Sequence, residues 1–526
     1  MRDFHLPGRS PVFATNGMVA TSHPLAAQVA VEMLREGGNA VDAAIAGAVL
    51  LGLCEPQMTG IGGDCFMLLK PAGEERIVGL NGSGRAPAGL SAEELRAAGH
   101  ETMPLYGDPA SVTVPGAIDA FDRLARDYGR KGLAASLAPA IRYFEEGVPV
   151  APRVASDWAA SESNLHGRAR ELFLLNGEVP RPGQVFRAPG QAEVLRRIAA
   201  EGRDGFYTGE VAEDMVASLR ALGGVHTLED FAATSCDYVE PLSGTYRGVE
   251  LVELPPNGQG ATALLIAKML ERFDVASLEP WGAERAHLEA EIAKLAYDAR
   301  NRFIADPDHT TRLEHMLSDA TADALCALID PDRSLADAPR ISEAVHKDTI
   351  YITVVDHDRQ AVSLIYSVFH SFGSGLASER FGINFQNRGA GFSLVPGHPN
   401  EAGGGKRPMH TIIPAMLREG GRVTMPFGVM GGAYQPNGHV RVLSNMLDFG
   451  MHPQAALDGP RSFGGMGPLD LENGYAPEVW EQLRAMGHDV RTPDTAIGGA
   501  QAIVIGADGV LTGASDPRKD GCALGY

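Results

Sequence analysis

No run of apolar residues in the chain approaches the ~18 needed for a membrane-crossing helix, although 44% of its 526 residues are hydrophobic. The opening segment Met1-Arg2-Asp3-Phe4-His5-Leu6-Pro7-Gly8-Arg9-Ser10 lacks the apolar stretch of a secretory signal, so the expected location is cytoplasmic. Cysteine is scarce and unpatterned: Cys54, Cys65, Cys236, Cys326 and Cys522 are odd in number and show no Cys-x-x-Cys spacing. That fits reduced thiols in core positions and excludes a disulfide framework. Basic residues are in deficit, 45 Lys and Arg against 66 Asp and Glu, for a net charge of −21. Phosphate binding needs clustered cations, so neither nucleic acid nor a membrane is an expected partner, and a site for an anionic small molecule needs its own local Arg or Lys. The 16 histidines form no His-Glu-x-x-His string or other compact ligand cluster, so no metal is expected, and there is no Gly-x-Ser-x-Gly nucleophile elbow. Two glycine strings fail as phosphate loops. Gly60-Ile61-Gly62-Gly63-Asp64 precedes a strand where a dinucleotide loop precedes a helix; Gly403-Gly404-Gly405-Lys406 has Arg407 where Ser or Thr is required and Asn400 where the first Gly belongs.

Length alone allows two to four domains or one large layered unit, and the absence of repeats and low-complexity linkers favours one unit. Near the start, Ser22 is the expected cap of a helix with Pro24 in its first turn and Gly37-Gly38 at its end. A second helix follows Asn39 and runs from Ala40 to before Pro56; small and apolar nearly all round, it is expected to be buried. From about 117 to 345 the pattern is mainly helical, with Ala117 to Tyr128, Gln191 to Glu201 and Ala283 to Arg302 as clear cases, interrupted by short strands such as 249–254. After Thr349 strands dominate: Met416-Leu417 with Arg422 to Phe427, and Ala502 to Ile505 with Val510 to Thr512 across Asp508-Gly509. Helices are expected from about Gln435 to Phe449 and Pro477 to Met486. Hairpins and helices in separate blocks imply an α+β layered fold.

Two stretches carry candidate chemistry. Thr349 to Asp356 alternates β-branched and aromatic residues, and Ala361 to Phe369 reads as its hairpin partner across the polar loop Asp356 to Gln360. Symmetric pairing about Asp358 sets Thr349 opposite Ser367, an arrangement that ordinary cross-strand packing also produces. The second is the junction of strand Pro426 to Met430 with Gly431-Gly432 and a helix carrying Pro436 in its first turn. Two glycines at the positive end of a helix can aim backbone N–H groups at an oxyanion. A tight turn packed against another backbone explains them equally well. His370, His410 and His439 lie in the same half and read as polar surface or packing residues.

The chain resembles the gamma-glutamyltransferase (gamma-glutamyl transpeptidase) family of N-terminal-nucleophile hydrolases. The matching strings include Ser22-His23-Pro24-Leu25-Ala26, Gly37-Gly38-Asn39-Ala40-Val41-Asp42-Ala43-Ala44, Glu55-Pro56 with Gly60 to Asp64, Arg85-Ala86-Pro87 and Thr113-Val114-Pro115-Gly116. Asp348-Thr349, Gly405-Lys406-Arg407-Pro408, Gly431-Gly432 and Ala514-Ser515-Asp516-Pro517-Arg518 follow in family order. The resemblance implies a four-layer αββα fold and a precursor that cuts itself between Asp348 and Thr349. The products are a large subunit, 1–348, and a small subunit, 349–526, that stay associated, with room for a homo-oligomer. It implies Thr349 as nucleophile, with its freed α-amine as base, Gly431 and Gly432 as oxyanion donors, Ser367 in place of a Thr that bonds the nucleophile, and no cofactor.

The acyl pocket departs from the family pattern. Ser83 stands where typical members hold the substrate α-carboxylate with Arg, and Arg85 lies two residues on; Gly391 replaces the Asp that holds the α-amine. Arg388 stands for a Gln, Phe369 for an Asn, and His410-Thr411 for a Ser pair. Two substrate classes therefore stay open: gamma-glutamyl amides such as glutathione, and amides of dicarboxylic acids without an α-amine, as in oxamate amidohydrolases or glutaryl (cephalosporin) acylases. For the second, Arg388 and then Arg85 are the expected carboxylate ligands. A non-catalytic small-molecule binding protein on the same scaffold is the alternative of another class; retention of Thr349, Ser367 and Gly431-Gly432 together argues against it.

Overall fold

Strand Ile350–Val355 lies at the middle of the molecule, hydrogen-bonded on one side to Ala361–Ser367 and on the other to Met18–Thr21. The computed structural model describes residue 5 and residues 8–335, 349–465 and 467–526. Among these, one seven-stranded sheet runs Cys522–Gly525, Met18–Thr21, Ile350–Val355, Ala361–Ser367, Asp64–Lys70, Val78–Gly82 and Asp237–Val239. A second runs Val12–Ala14, Leu511–Ser515, Gly499–Ile505, Arg422–Met430, Ala415–Glu419, Val249–Glu253 and Leu242–Tyr246. Apart from one short pairing in a small third sheet, every strand pair is antiparallel. Phe66, Leu68, Tyr351, Ile365, Val252, Met416 and Ile503 fill the space between the two large sheets.

Helices cover the outer faces. Pro24–Arg35, Ala40–Cys54, Ala117–Tyr128 and Leu133–Glu146 pack on the first sheet, and Gly260–Leu270, Ala283–Phe303 and Gln435–Leu447 on the second. This is the expected αββα layering. Every residue of helix Ala40–Cys54 is buried, as its nearly all-round apolar composition predicts. Asn39 caps it reciprocally with Asp42.

The expected cap Ser22 is a correction. His23 takes that position, its ring accepting from the Leu25 N–H at 3.3 Å. Ser22 instead donates to the buried carboxyl of Glu55. A carboxyl removed from water needs a donor more than an exposed helix end does. All five cysteines are free. His370, His410 and His439 are buried, so none is a surface residue.

Both large sheets mix strands from before and after residue 349. A chain cut there would remain held by the ladders flanking Ile350–Val355 and by the shared core, which is why separation of the two parts would require global unfolding.

Candidate active site

Thr349 is fully buried and immediately precedes strand Ile350–Val355. The ladder pairs Ile350 with Tyr366 through to Val355 with Ala361, leaving 356–360 as the loop. One further step in that register sets Thr349 opposite Ser367. Ser367 Oγ accepts from the Phe369 N–H at 2.9 Å, which turns the chain sharply after the strand. Asp348 lies outside the described residues. Behind Ser367, a Cβ on Gly63 would stand 2.4 Å from the Ser367 carbonyl oxygen. The glycine string before Asp64 therefore permits close backbone approach beside Ser367.

Phe369 follows with φ of 81°, a conformation that side chains other than glycine rarely adopt. Its ring forms a platform 4.0 Å beneath the guanidinium carbon of Arg388. Arg388 is fully buried and donates through Nη1 to Thr411 Oγ1 at 3.1 Å. Its Nε and Nη2 have no partner among the described residues. These two nitrogens form one edge of the guanidinium, the edge that grips a carboxylate through parallel bonds. Burial pushes the Arg388 pKa down to about 9, with Asp64 opposing the shift, so the group stays charged at neutral pH. The same positive charge, after burial itself, helps push His370 and His410 down to about 3, so both rings are neutral at working pH.

Asp64 organises the floor. Its Oδ1 accepts from the Gly84 and Gly116 N–H groups, each at 3.0 Å, and from Gln386 Nε2 at 2.8 Å. Its Oδ2 accepts from His410 Nε2 at 3.1 Å, while the Ile412 N–H donates to His410 Nδ1 at 3.3 Å, fixing the ring tautomer. Ser83 is buried against Asn257, whose Nδ2 donates to Ser83 Oγ at 3.1 Å. Arg85 is directed elsewhere: its side chain is 45% exposed and pairs with Asp306 at 3.4 Å and the Gly405 carbonyl at 2.9 Å. Of the two candidate cations, Arg388 is thus the buried one with an unused edge, and Arg85 is turned to Asp306 and Gly405.

Gly431 and Gly432 form the turn between strand Arg422–Met430 and helix Gln435–Leu447. Gly431 has φ of 121°, and a Cβ there would press within 3.0 Å of the Gly498 Cα. The Tyr434 N–H donates to the Gly431 carbonyl at 3.0 Å, which orients the peptide carrying the Gly432 N–H. Before the turn, the Val429 N–H donates to His439 Nε2 at 3.2 Å, and the other ring nitrogen meets Glu253 at 2.7 Å.

Sequence reasoning overlooked Asp64, Gln386, Asn257 and Gln259. An acidic residue opening a strand whose next five residues are apolar was the available signal for Asp64. The fold also gathers His287, Glu291 and His488 closely enough for a metal ion. Their atoms already engage one another and Lys294, whose Nζ lies 2.6 Å from Glu291 Oε1 where a cation would sit.

Residues 26–526 match the Gamma-glutamyltranspeptidase family model. The chain is 35% identical to the glutathione hydrolase-like YwrD proenzyme of Bacillus subtilis, over 98% of this chain and 99% of that protein. It is 36% identical to the oxamate amidohydrolase proenzyme of Klebsiella pneumoniae, again over 98% and 99%. Among solved structures, the cephalosporin acylase from Bacillus halodurans superposes with a TM-score of 0.91 at 38% identity, covering 100% of this chain and 99% of that one. Together with the layered fold, these matches show that the chain belongs to the gamma-glutamyltranspeptidase family, an enzyme family of N-terminal-nucleophile hydrolases.

Proposed function

We propose that the protein cuts its own chain between Asp348 and Thr349 and then hydrolyses amides whose acyl group carries a carboxylate but no α-amine. In maturation the Thr349 hydroxyl adds to the Asp348 carbonyl carbon, the peptide C–N bond breaks as an ester forms, and water cleaves the ester. Asp348 leaves as a carboxylate and Thr349 gains a free α-amine. That amine has an ordinary pKa of about 7.7 to 8, so near neutrality it can take the proton of its own hydroxyl. Thr349 then attacks the substrate amide, the N–H groups at Gly431 and Gly432 receive the oxyanion, and the acyl-enzyme passes to water or to an acceptor amine. The subunits on this reading are 1–348 and 349–526.

The observation that carries the substrate class is the free edge of Arg388. A buried guanidinium with two unused donors calls for a carboxylate. An α-ammonium, by contrast, needs a charged acceptor; Asp64 already takes four hydrogen bonds, and the unpartnered Gln386 Oε1 beside it is neutral. The relatives named as an oxamate amidohydrolase and a cephalosporin acylase agree with this class. The relative named as glutathione hydrolase-like favours a γ-glutamyl donor as the second reading. Rates on glutaryl and γ-glutamyl p-nitroanilide separate the two, because the substrates differ only in the amine. An unpaired buried ammonium costs several kcal/mol, so the glutaryl compound should be favoured at least ~100-fold; preference for the γ-glutamyl compound overturns the assignment.

A further inference from the structure

Gln259 lies in the turn after strand Val249–Glu253, on the 1–348 side, and is fully buried. Its single amide nitrogen donates to two carbonyls, Thr411 at 2.6 Å and Gly432 at 2.9 Å. Its amide oxygen accepts from Arg300 Nη1 at 2.9 Å. The orientation of the amide is settled by chemistry: two carbonyls can only accept, and a guanidinium can only donate. Arg300 is stacked over Tyr297, with its guanidinium carbon 4.6 Å from the ring centre, and the Tyr297 hydroxyl donates to the Ala433 carbonyl.

The two carbonyls belong to the two ends of the proposed acyl site. Thr411 bonds Arg388 through its hydroxyl, and Gly432 is half of the oxyanion turn. A shared NH2 group holds them at one separation. We infer that Gln259 is a positioning residue that sets the span between the carboxylate anchor and the oxyanion turn, and so selects the length of the acyl chain. This rests on the proposed roles of Thr349, Arg388 and Gly431-Gly432. A substrate gripped at its carboxylate presents its carbonyl to the nucleophile only if the chain between them matches that span. Displacing the reacting carbon by about 1 Å costs on the order of 100-fold in rate.

The test is a chain-length series of malonyl, succinyl, glutaryl and adipyl p-nitroanilides on processed wild type, Gln259→Met and Gln259→Glu, with melting temperatures and fragment patterns as fold controls. Wild type should show one preferred length. Each variant should lose ~100-fold in kcat/KM on that length and under ~10-fold on its neighbours, flattening the profile. Arg300→Lys, which keeps the charge but loses the Nη1 bond to the Gln259 amide oxygen, should flatten it in the same direction, and it serves as the test if both Gln259 variants fail to fold. A uniform loss on every length, or an unchanged profile, overturns the role of Gln259 while leaving the amidase reading standing. A wild type that neither cuts itself nor hydrolyses any member of the series overturns the amidase reading, and this role with it.

Discussion

Replacing Arg388 with Met tests the substrate assignment at its anchor. In the free protein the Nε and Nη2 edge has no partner within the described residues, and Nη1 holds Thr411. A dicarboxylic acyl group supplies two charge-assisted bonds to that edge, each worth ~1.5 to 3 kcal/mol in favourable cases. Taking about 3 kcal/mol for the pair, after the cost of bringing a carboxylate out of water, the loss in kcat/KM is on the order of 150-fold. The comparison substrate is butyryl p-nitroanilide, which has the chain of the glutaryl compound without its terminal carboxylate. Four kcat/KM values, two enzymes by two substrates, give the coupling directly. Only the glutaryl compound should lose the factor. Stability should hold, because the substitution removes an incompletely paired buried charge and sets a thioether over the Phe369 ring, where the guanidinium now lies at 4.0 Å. Equal losses on both substrates would refute the reasoning and make Arg388 a structural cation.

Two further predictions concern pH. Because Arg388 holds its proton only up to about pH 9 in its buried setting, KM for the glutaryl substrate should rise as pH passes that point, while KM for the butyryl substrate should not. Glu55, fully buried beside Ser22, is raised to about 7 chiefly by desolvation, with Lys519 opposing. A carboxyl whose folded pKa lies above its unfolded value costs stability as pH rises between the two. Glu55→Gln should therefore stabilise the protein by an amount that grows from about pH 4.5 to about pH 7 and is flat above, reaching ~3 kcal/mol in denaturant titrations. A constant difference across that range would show that Glu55 keeps an ordinary pKa.

Local pattern carried much of the architecture. The alternation in 349–369 with a polar five-residue gap gave the ladder register, because a hairpin is fixed by loop length and by which face is apolar. Helix Ala117–Tyr128 coincides with its 3.6-residue periodicity. What escaped were residues whose partners come from afar. Asp64 accepts from positions 20, 52, 322 and 346 residues away, and nothing local in the sequence records such convergence. Gln259 stands in a string that reads only as a turn, yet its amide spans carbonyls 152 and 173 residues distant. His287 and His488 are 201 residues apart, so a scan for compact ligand motifs could not find their contact. The displaced cap has the same origin: Ser22 has the right chemistry for a helix end, and Glu55, 33 residues on, claims it. Arg85 and Arg388 are both candidate cations in the sequence; burial and pairing, which only the fold supplies, separate them.

The central claim is that Thr349 is freed by self-cleavage and becomes the nucleophile. Intact-mass measurement of purified protein, incubated alone, tests it most directly. Wild type should give two fragments divided between Asp348 and Thr349 that stay together until denatured, and Thr349→Ala should remain one chain without amidase activity. Wild type that stays whole while hydrolysing amides, or Thr349→Ala cut at the same bond, would contradict it.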